Sequence, residues 1–359
     1  MDHGLRRIRL AERLGELGVD AFVVTRLPNV RYLTGFTGSN AQVLVASQGR
    51  SVLFTDGRYE EQSRREVPDV ERVIYLDGFP PVEGPVAALG SPAVGFEADG
   101  VTYRFAERLR ERLKGTELIP LGPEVERLRR VKDPEERERI AGAQEATDVA
   151  FERVVLGGGL REGLTEREAA FALELEMRRA GADDRAFESI VAFGENAAEP
   201  HHEPSDRPLR RGDIVKCDFG ALLGGYHTDM TRTVAFGDPG ARLREVRDLV
   251  AVAQRAGIEA VRPGAAVAEI DRAAREVIEE AGLGREFPHG LGHGVGLEIH
   301  EEPRLRWDGT DDVPEGAVVT IEPGVYIPGL GGVRIEDVVE VTAGGGRPIA
   351  RSTKELVVL

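Results

Sequence analysis

A nine-residue frame occurs twice in this chain. Gly212-Asp-Ile-Val-Lys-Cys-Asp218-Phe-Gly220 returns 104 positions later (316 − 212) as Gly316-Ala-Val-Val-Thr-Ile-Glu322-Pro-Gly324. Each copy runs from a glycine through a strand-like apolar stretch to an acid at the sixth step and a closing glycine. An ionised carboxylate at the end of a buried strand is costly unless an opposite charge meets it. Placing that feature twice constrains the chain to a duplicated fold whose acids face something positive. Six of the seven histidines lie between positions 201 and 300, around and between the two copies. A metal site built by two related halves is the economical reading.

At 359 residues the chain is too long for one small core and suits two domains. It carries 63 acids against 47 bases, 47 − 63 = −16. Such a surface repels nucleic acid and anionic lipid, which argues against both as partners; solubility alone accounts for the acidity. No apolar run approaches the roughly 20 residues that cross a bilayer. The stretch Leu5–Leu17 reads as an amphipathic helix and lacks the apolar core of a signal peptide. A single Cys217 cannot form an internal disulfide, so a reducing cytoplasm is expected. Strand alternation turns Cys217 away from Asp218, which makes it core filler and not a nucleophile.

Residues 1–125 alternate short apolar strands with helical stretches, the pattern of an α/β domain. Strands are expected at Ala21–Val24, Gln42–Ala46, Ser51–Thr55, Arg72–Leu76 and Ala93–Phe96, with helices at the N-terminus, Tyr59–Val67 and Tyr103–Leu113. The charged stretch Glu124–Asp133 reads as the crossing into a second domain, residues 126–359. There Asp133 caps a helix with Pro134 at its first position, running to about Leu156 before Gly157-Gly-Gly159. Thr165 and Glu168 form a capping box for the next helix, which ends near Gly181. Two more helices are expected at about 242–261 and 266–281. Helix, helix, acid-bearing hairpin thus occurs twice, an α+β domain of two facing halves.

A first hairpin turns within Ala221-Leu-Leu-Gly-Gly225. Centred between Leu223 and Gly224, it puts Asp218 directly opposite Asp229. A second, folded about Gly329, puts Glu322 opposite Glu336. Like charges facing across strands repel, and a divalent cation converts that repulsion into a binding site. The four acids total −4, which two divalent cations balance; His293, among the glycines of Gly290–Gly296, completes a five-donor set. The plain alternative is four surface hairpin acids and a loop histidine, which requires the duplicated frame and both opposed pairs to be coincidences. His201 is placed near the metals or the substrate, and His289 and His300 around a metal-bound substrate. His202 is expected to be solvated and His227 to lie at the surface.

With these residues assembled, the chain resembles the creatinase, prolidase and aminopeptidase P family, whose catalytic domain has the pita-bread fold. The matching stretches are Ala198–His201, Asp218–Gly220, Gly225–Thr233, His289–His300, Thr320–Gly324 and Gly332–Asp337, with Asn29–Ser39 and Phe54–Tyr59 resembling the family's N-terminal domain. The resemblance implies a metallopeptidase whose ligands are Asp218, Asp229, His293, Glu322 and Glu336, with Asp229 and Glu336 bridging two cations. Manganese is expected, with cobalt or zinc as alternatives. It further implies that Glu322 shuttles protons and that His201, His289 and His300 hold the scissile carbonyl and the proline side of the substrate. Arg334 would support Glu336, and Tyr326 would line the pocket. A cation pair lowers the pKa of a shared water and polarises the carbonyl. The implied substrate is a peptide with proline second, cleaved before the proline, by a homodimer. The N-terminal motifs favour an aminopeptidase P over a strict Xaa-Pro dipeptidase. The intact ligand set argues against creatinase and against a non-catalytic binding module. Arg304 and Arg306 are candidates to meet a substrate carboxylate, with solvated loop arginines as the plainer reading.

Overall fold

A computed structural model describes residues 1–76, 78–90 and 92–359. The chain divides into two compact units, Met1–Arg129 and Arg130–Leu359. The expected division at 125/126 falls inside a short helix, Glu124–Arg129, which stays whole within the first unit.

The first unit is a six-stranded sheet with helices. Its strands are β1 (Ala21–Val24), β2 (Ala41–Ala46), β3 (Ser51–Asp56), β4 (Glu71–Tyr75), β5 (Ala93–Glu97) and β6 (Glu117–Leu121), ordered β4-β3-β2-β1-β5-β6. Ala21, Val23, Leu44, Phe54 and Val94 form its buried centre. Strand β6 was not expected, because Glu117 and Pro120 break its short apolar run. Pro120 is tolerated there because β6 is an edge strand.

The second unit repeats one plan. Helices α1 (Pro134–Phe151) and α2 (Glu166–Arg179) precede a ribbon of β7 (Asp213–Phe219) and β8 (Met230–Phe236); α3 (Ala241–Ala260) and α4 (Val267–Glu280) precede a ribbon of β9 (Val318–Ile321) and β10 (Asp337–Thr342). Asp133 caps α1 in a full capping box with Glu136, and Thr165 caps α2 with Glu168. Helix α1 continues as a π-turn, Glu152–Leu156, up to the expected glycine stop. Each half has its own apolar core: Ala146, Leu173, Val191 and Val234 in one, Val250, Ile270, Val319 and Val339 in the other. Cys217 lies in the first core, and burial pushes its thiol up to about 12, so it is inert.

Candidate active site

The first ribbon closes on Gly224 and Gly225, whose φ values of 57° and 84° give the two-residue turn that hairpin twist favours. Leu223 therefore pairs with Tyr226, and further along Asp218 pairs with Thr231. The expected pairing of Asp218 with Asp229 is corrected by two positions, because the turn is centred one residue later. A shift of two preserves the face, so Asp218 and Asp229 still point the same way. Both are buried at 6% exposure.

In the second ribbon Ile321 pairs with Asp337 and Gly324 with Arg334. That register sets Glu322 across from Glu336. His293 comes from the short strand Gly292–Gly294, which pairs with β9. A Cβ at Gly292 would lie 2.0 Å from the Thr320 carbonyl oxygen, so only glycine allows this approach. His293 Nδ1 donates to the Gly294 carbonyl at 3.0 Å, which leaves Nε2 facing the acids. Nε2 is 3.3 Å from Glu322 and 3.7 Å from Asp229.

The acids are far from satisfied. Asp218 Oδ1, Asp229 Oδ1 and Glu336 Oε1 are buried without a hydrogen-bond partner. One ligand atom each from Asp229, His293 and Glu336 lies within 4.8 Å of the others. Burial, then the charges of Glu336, Asp218 and Glu322, push the Asp229 carboxyl well above the usual carboxylate range. Burial, Glu322 and Asp218 push Glu336 the same way. For Glu322 burial also pushes upward, but His293, with the charges of His289 and Arg334, outweighs it and holds the carboxyl low. Buried, mutually repelling oxygens beside an imidazole nitrogen form a donor set that a divalent cation would satisfy.

Arg334 is buried among them. It donates to Asp218, to Thr231 Oγ1 at 2.9 Å and to the Tyr326 hydroxyl at 2.8 Å. Its link to Glu336 is indirect: Thr231 Oγ1 in turn donates to Glu336 Oε2 at 2.8 Å. Thr231 was overlooked in the sequence, although it lies two residues beyond Asp229 on the same strand face. Tyr326 stands one layer behind the cavity wall, bonded to His289 Nε2 at 2.9 Å, while His289 Nδ1 donates to the Gly290 carbonyl at 2.8 Å. Both nitrogens of His289 are thus engaged.

The acids open into a cavity of about 570 Å³, also lined by His201, His289, His300, Arg304 and Arg306. His300 stacks edge-on to His293 with ring centres 4.4 Å apart. Burial and the adjacent His293 bring the His300 pKa down to about 4, so its ring is neutral at pH 7. His201 and His300 make no hydrogen bond to any described residue. His202 is not solvated as expected. It is buried, with Nε2 2.9 Å from Glu166 and Nδ1 2.8 Å from Glu199. The loop, unlike a strand, does not force adjacent side chains to opposite faces. His227 Nδ1 is 3.0 Å from the Gly296 carbonyl and half-buried.

Comparison with known proteins matches this geometry. Residues 138–343 match the metallopeptidase family M24 and residues 6–131 the creatinase/prolidase N-terminal domain. The chain is 34% identical to an Xaa-Pro dipeptidase of Pyrococcus horikoshii over 97% of each chain. Among solved structures it is similar to an Xaa-Pro dipeptidase from Bacillus anthracis, with a TM-score of 0.94, 38% identity and coverage of 99% of this chain and 100% of that one. It is also similar to an X-Pro aminopeptidase from Thermotoga maritima, with a TM-score of 0.87, 35% identity and coverage of 97% and 100%. No described helix is long and apolar enough to cross a membrane. A family match over both units, with full-length likeness to solved relatives, establishes that the chain belongs to metallopeptidase family M24, a creatinase-type N-terminal domain joined to a pita-bread catalytic domain.

Proposed function

We propose that this metallopeptidase is an Xaa-Pro dipeptidase, which hydrolyses the bond before proline in a two-residue peptide. This reverses the preference for an aminopeptidase P drawn from the N-terminal motifs. The full-length dipeptidase relatives support the change. So does the placement of Arg304 and Arg306 on the cavity wall, where a guanidinium can meet the free carboxylate of a dipeptide. The observation that carries the hydrolytic reading is the trio of buried, partnerless carboxylate oxygens on Asp218, Asp229 and Glu336. With His293 and Glu322 these residues would hold two divalent cations, manganese being the best fit to an oxygen-rich set.

When bound, the cations supply a water of lowered pKa and polarise the scissile carbonyl. The residues do the rest. Glu322, held ionised beside His293, accepts a proton from the water and delivers it to the departing proline nitrogen. His300 and His201 present open ring nitrogens toward the cavity and donate to the carbonyl oxygen as negative charge develops on it. His289, pinned by Tyr326 and Gly290, shapes the side of the pocket that receives the proline ring. Arg334 orients Asp218 directly and Glu336 through Thr231.

The test is to load the purified protein with Mn²⁺ and supply Xaa-Pro dipeptides beside Xaa-Pro-Xaa tripeptides. Dipeptides should be cleaved, and tripeptides should be cleaved far more slowly. Comparable or faster tripeptide cleavage restores the aminopeptidase P reading. No cleavage of either with manganese, cobalt or zinc removes both.

A further inference from the structure

His201 and His300 line the cavity with no hydrogen bond to any described residue, so their own polar contacts do not fix their rings. Each, however, precedes a side chain locked onto a buried polar partner. After His201 comes His202, whose Nε2 is 2.9 Å from Glu166, a carboxylate with no exposed surface. After His300 comes Glu301, 3.2 Å from the Lys132 amine, with side chains only 5% and 1% exposed.

Both pairs grip the backbone around the imidazole. Glu166 accepts from Phe193 N at 2.8 Å, Asn196 Nδ2 at 2.9 Å, and Ser205 N at 2.9 Å and Oγ at 2.5 Å. It thereby ties the segments on either side of His201 to the start of α2. The other oxygen of Glu301 accepts from Glu298 N at 3.0 Å, closing the loop that presents His300, while Lys132 N donates to the Gly316 carbonyl at 2.9 Å. A buried ion pair adds little stability over apolar residues of the same shape. Stability therefore gives no reason for buried polar pairs at two unrelated places, each one residue from an unanchored imidazole.

We propose that Glu166–His202 and Lys132–Glu301 are positioning pairs that set His201 and His300, respectively, against the substrate. The proposal rests on the reading that these imidazoles meet the scissile carbonyl. A displacement of about 1 Å at such a group costs on the order of 100-fold in rate.

The test is a double-mutant cycle on the full, Mn²⁺-loaded chain, reading kcat and KM on an Xaa-Pro dipeptide together with bound metal. Glu166→Gln and Glu301→Gln should each lower kcat/KM by about 10- to 100-fold with metal content unchanged. Glu166→Gln should have no further effect once His201 is alanine, but its full effect when His300 is alanine; Glu301→Gln should show the reverse. Equal losses in both backgrounds, loss of metal, or wild-type kcat/KM would overturn the positioning role. Should Glu166→Gln not fold, His202→Gln and Ser205→Ala remove single partners and carry the same cycle. Wild-type turnover in His201→Ala and His300→Ala is a separate result, and it removes the underlying reading along with the pairs.

Discussion

Asp229 has one oxygen 3.7 Å from His293 and the other buried with no partner. Its carboxylate is placed to meet a cation; without one, burial and the charges of Glu336, Asp218 and Glu322 push it toward its neutral form. Asp229→Ala should therefore abolish bound metal and lower turnover by at least about three orders of magnitude, the several kcal/mol that metal polarisation supplies. The circular dichroism spectrum should stay native, because the surrounding strands keep their pairing. In chelator the variant should melt no lower than the wild type, since a buried carboxyl crowded by other acids is gone. Normal metal content in Asp229→Ala would refute its place in the donor set. Arg304→Ala is expected to raise KM for an Xaa-Pro dipeptide with little change in kcat, the mark of a contact made equally in ground and transition states.

Strand and helix ends decide how well these side chains are held. Gly292→Ala puts a Cβ 2.0 Å from the Thr320 carbonyl oxygen and forces the strand bearing His293 away from its neighbour. It should destabilise the protein by about 1–3 kcal/mol and weaken metal retention, both measurable by denaturant titration with and without Mn²⁺. Thr165→Ala, which removes the cap of α2 next to Glu166, should cost about 1 kcal/mol and leave metal content alone. At this scale much could be read from residues alone. Capping boxes are local chemistry, so Asp133 and Thr165 announced their helices, and apolar alternation announced the ribbons. The register of the first ribbon depended on whether the turn takes Leu223-Gly224 or Gly224-Gly225, and the positive φ of both glycines decides for the second. The burial of His202 comes from Glu166, 36 positions away, a contact that no local pattern encodes, while its other partner Glu199, three positions away, is an exposed acid that gives no sign of burial. Strand β6 escaped for a related reason: its place was settled by β5 alongside it, against its own weak propensity.

Across the molecule, the two α-α-ribbon halves each bury a separate core, and the acid cluster lies where their ribbons meet. Cation binding should thus stabilise the second unit specifically. The single Trp307 lies in that unit, so its fluorescence follows it alone. Removing metal with chelator should lower the fluorescence melting temperature, and Mn²⁺ at 100 times its Kd should restore about 2.7 kcal/mol. Hydrogen exchange in the strands of the first unit should not change with metal. The spacing of the cluster along the chain has one more consequence. Asp218 and Asp229 come from one ribbon and Glu322 and Glu336 from another roughly a hundred residues later. A nascent polypeptide leaving the ribosome presents half a cage well before the other half exists. Capture of a cation by the full donor set would therefore wait until the second ribbon has emerged, late in biogenesis.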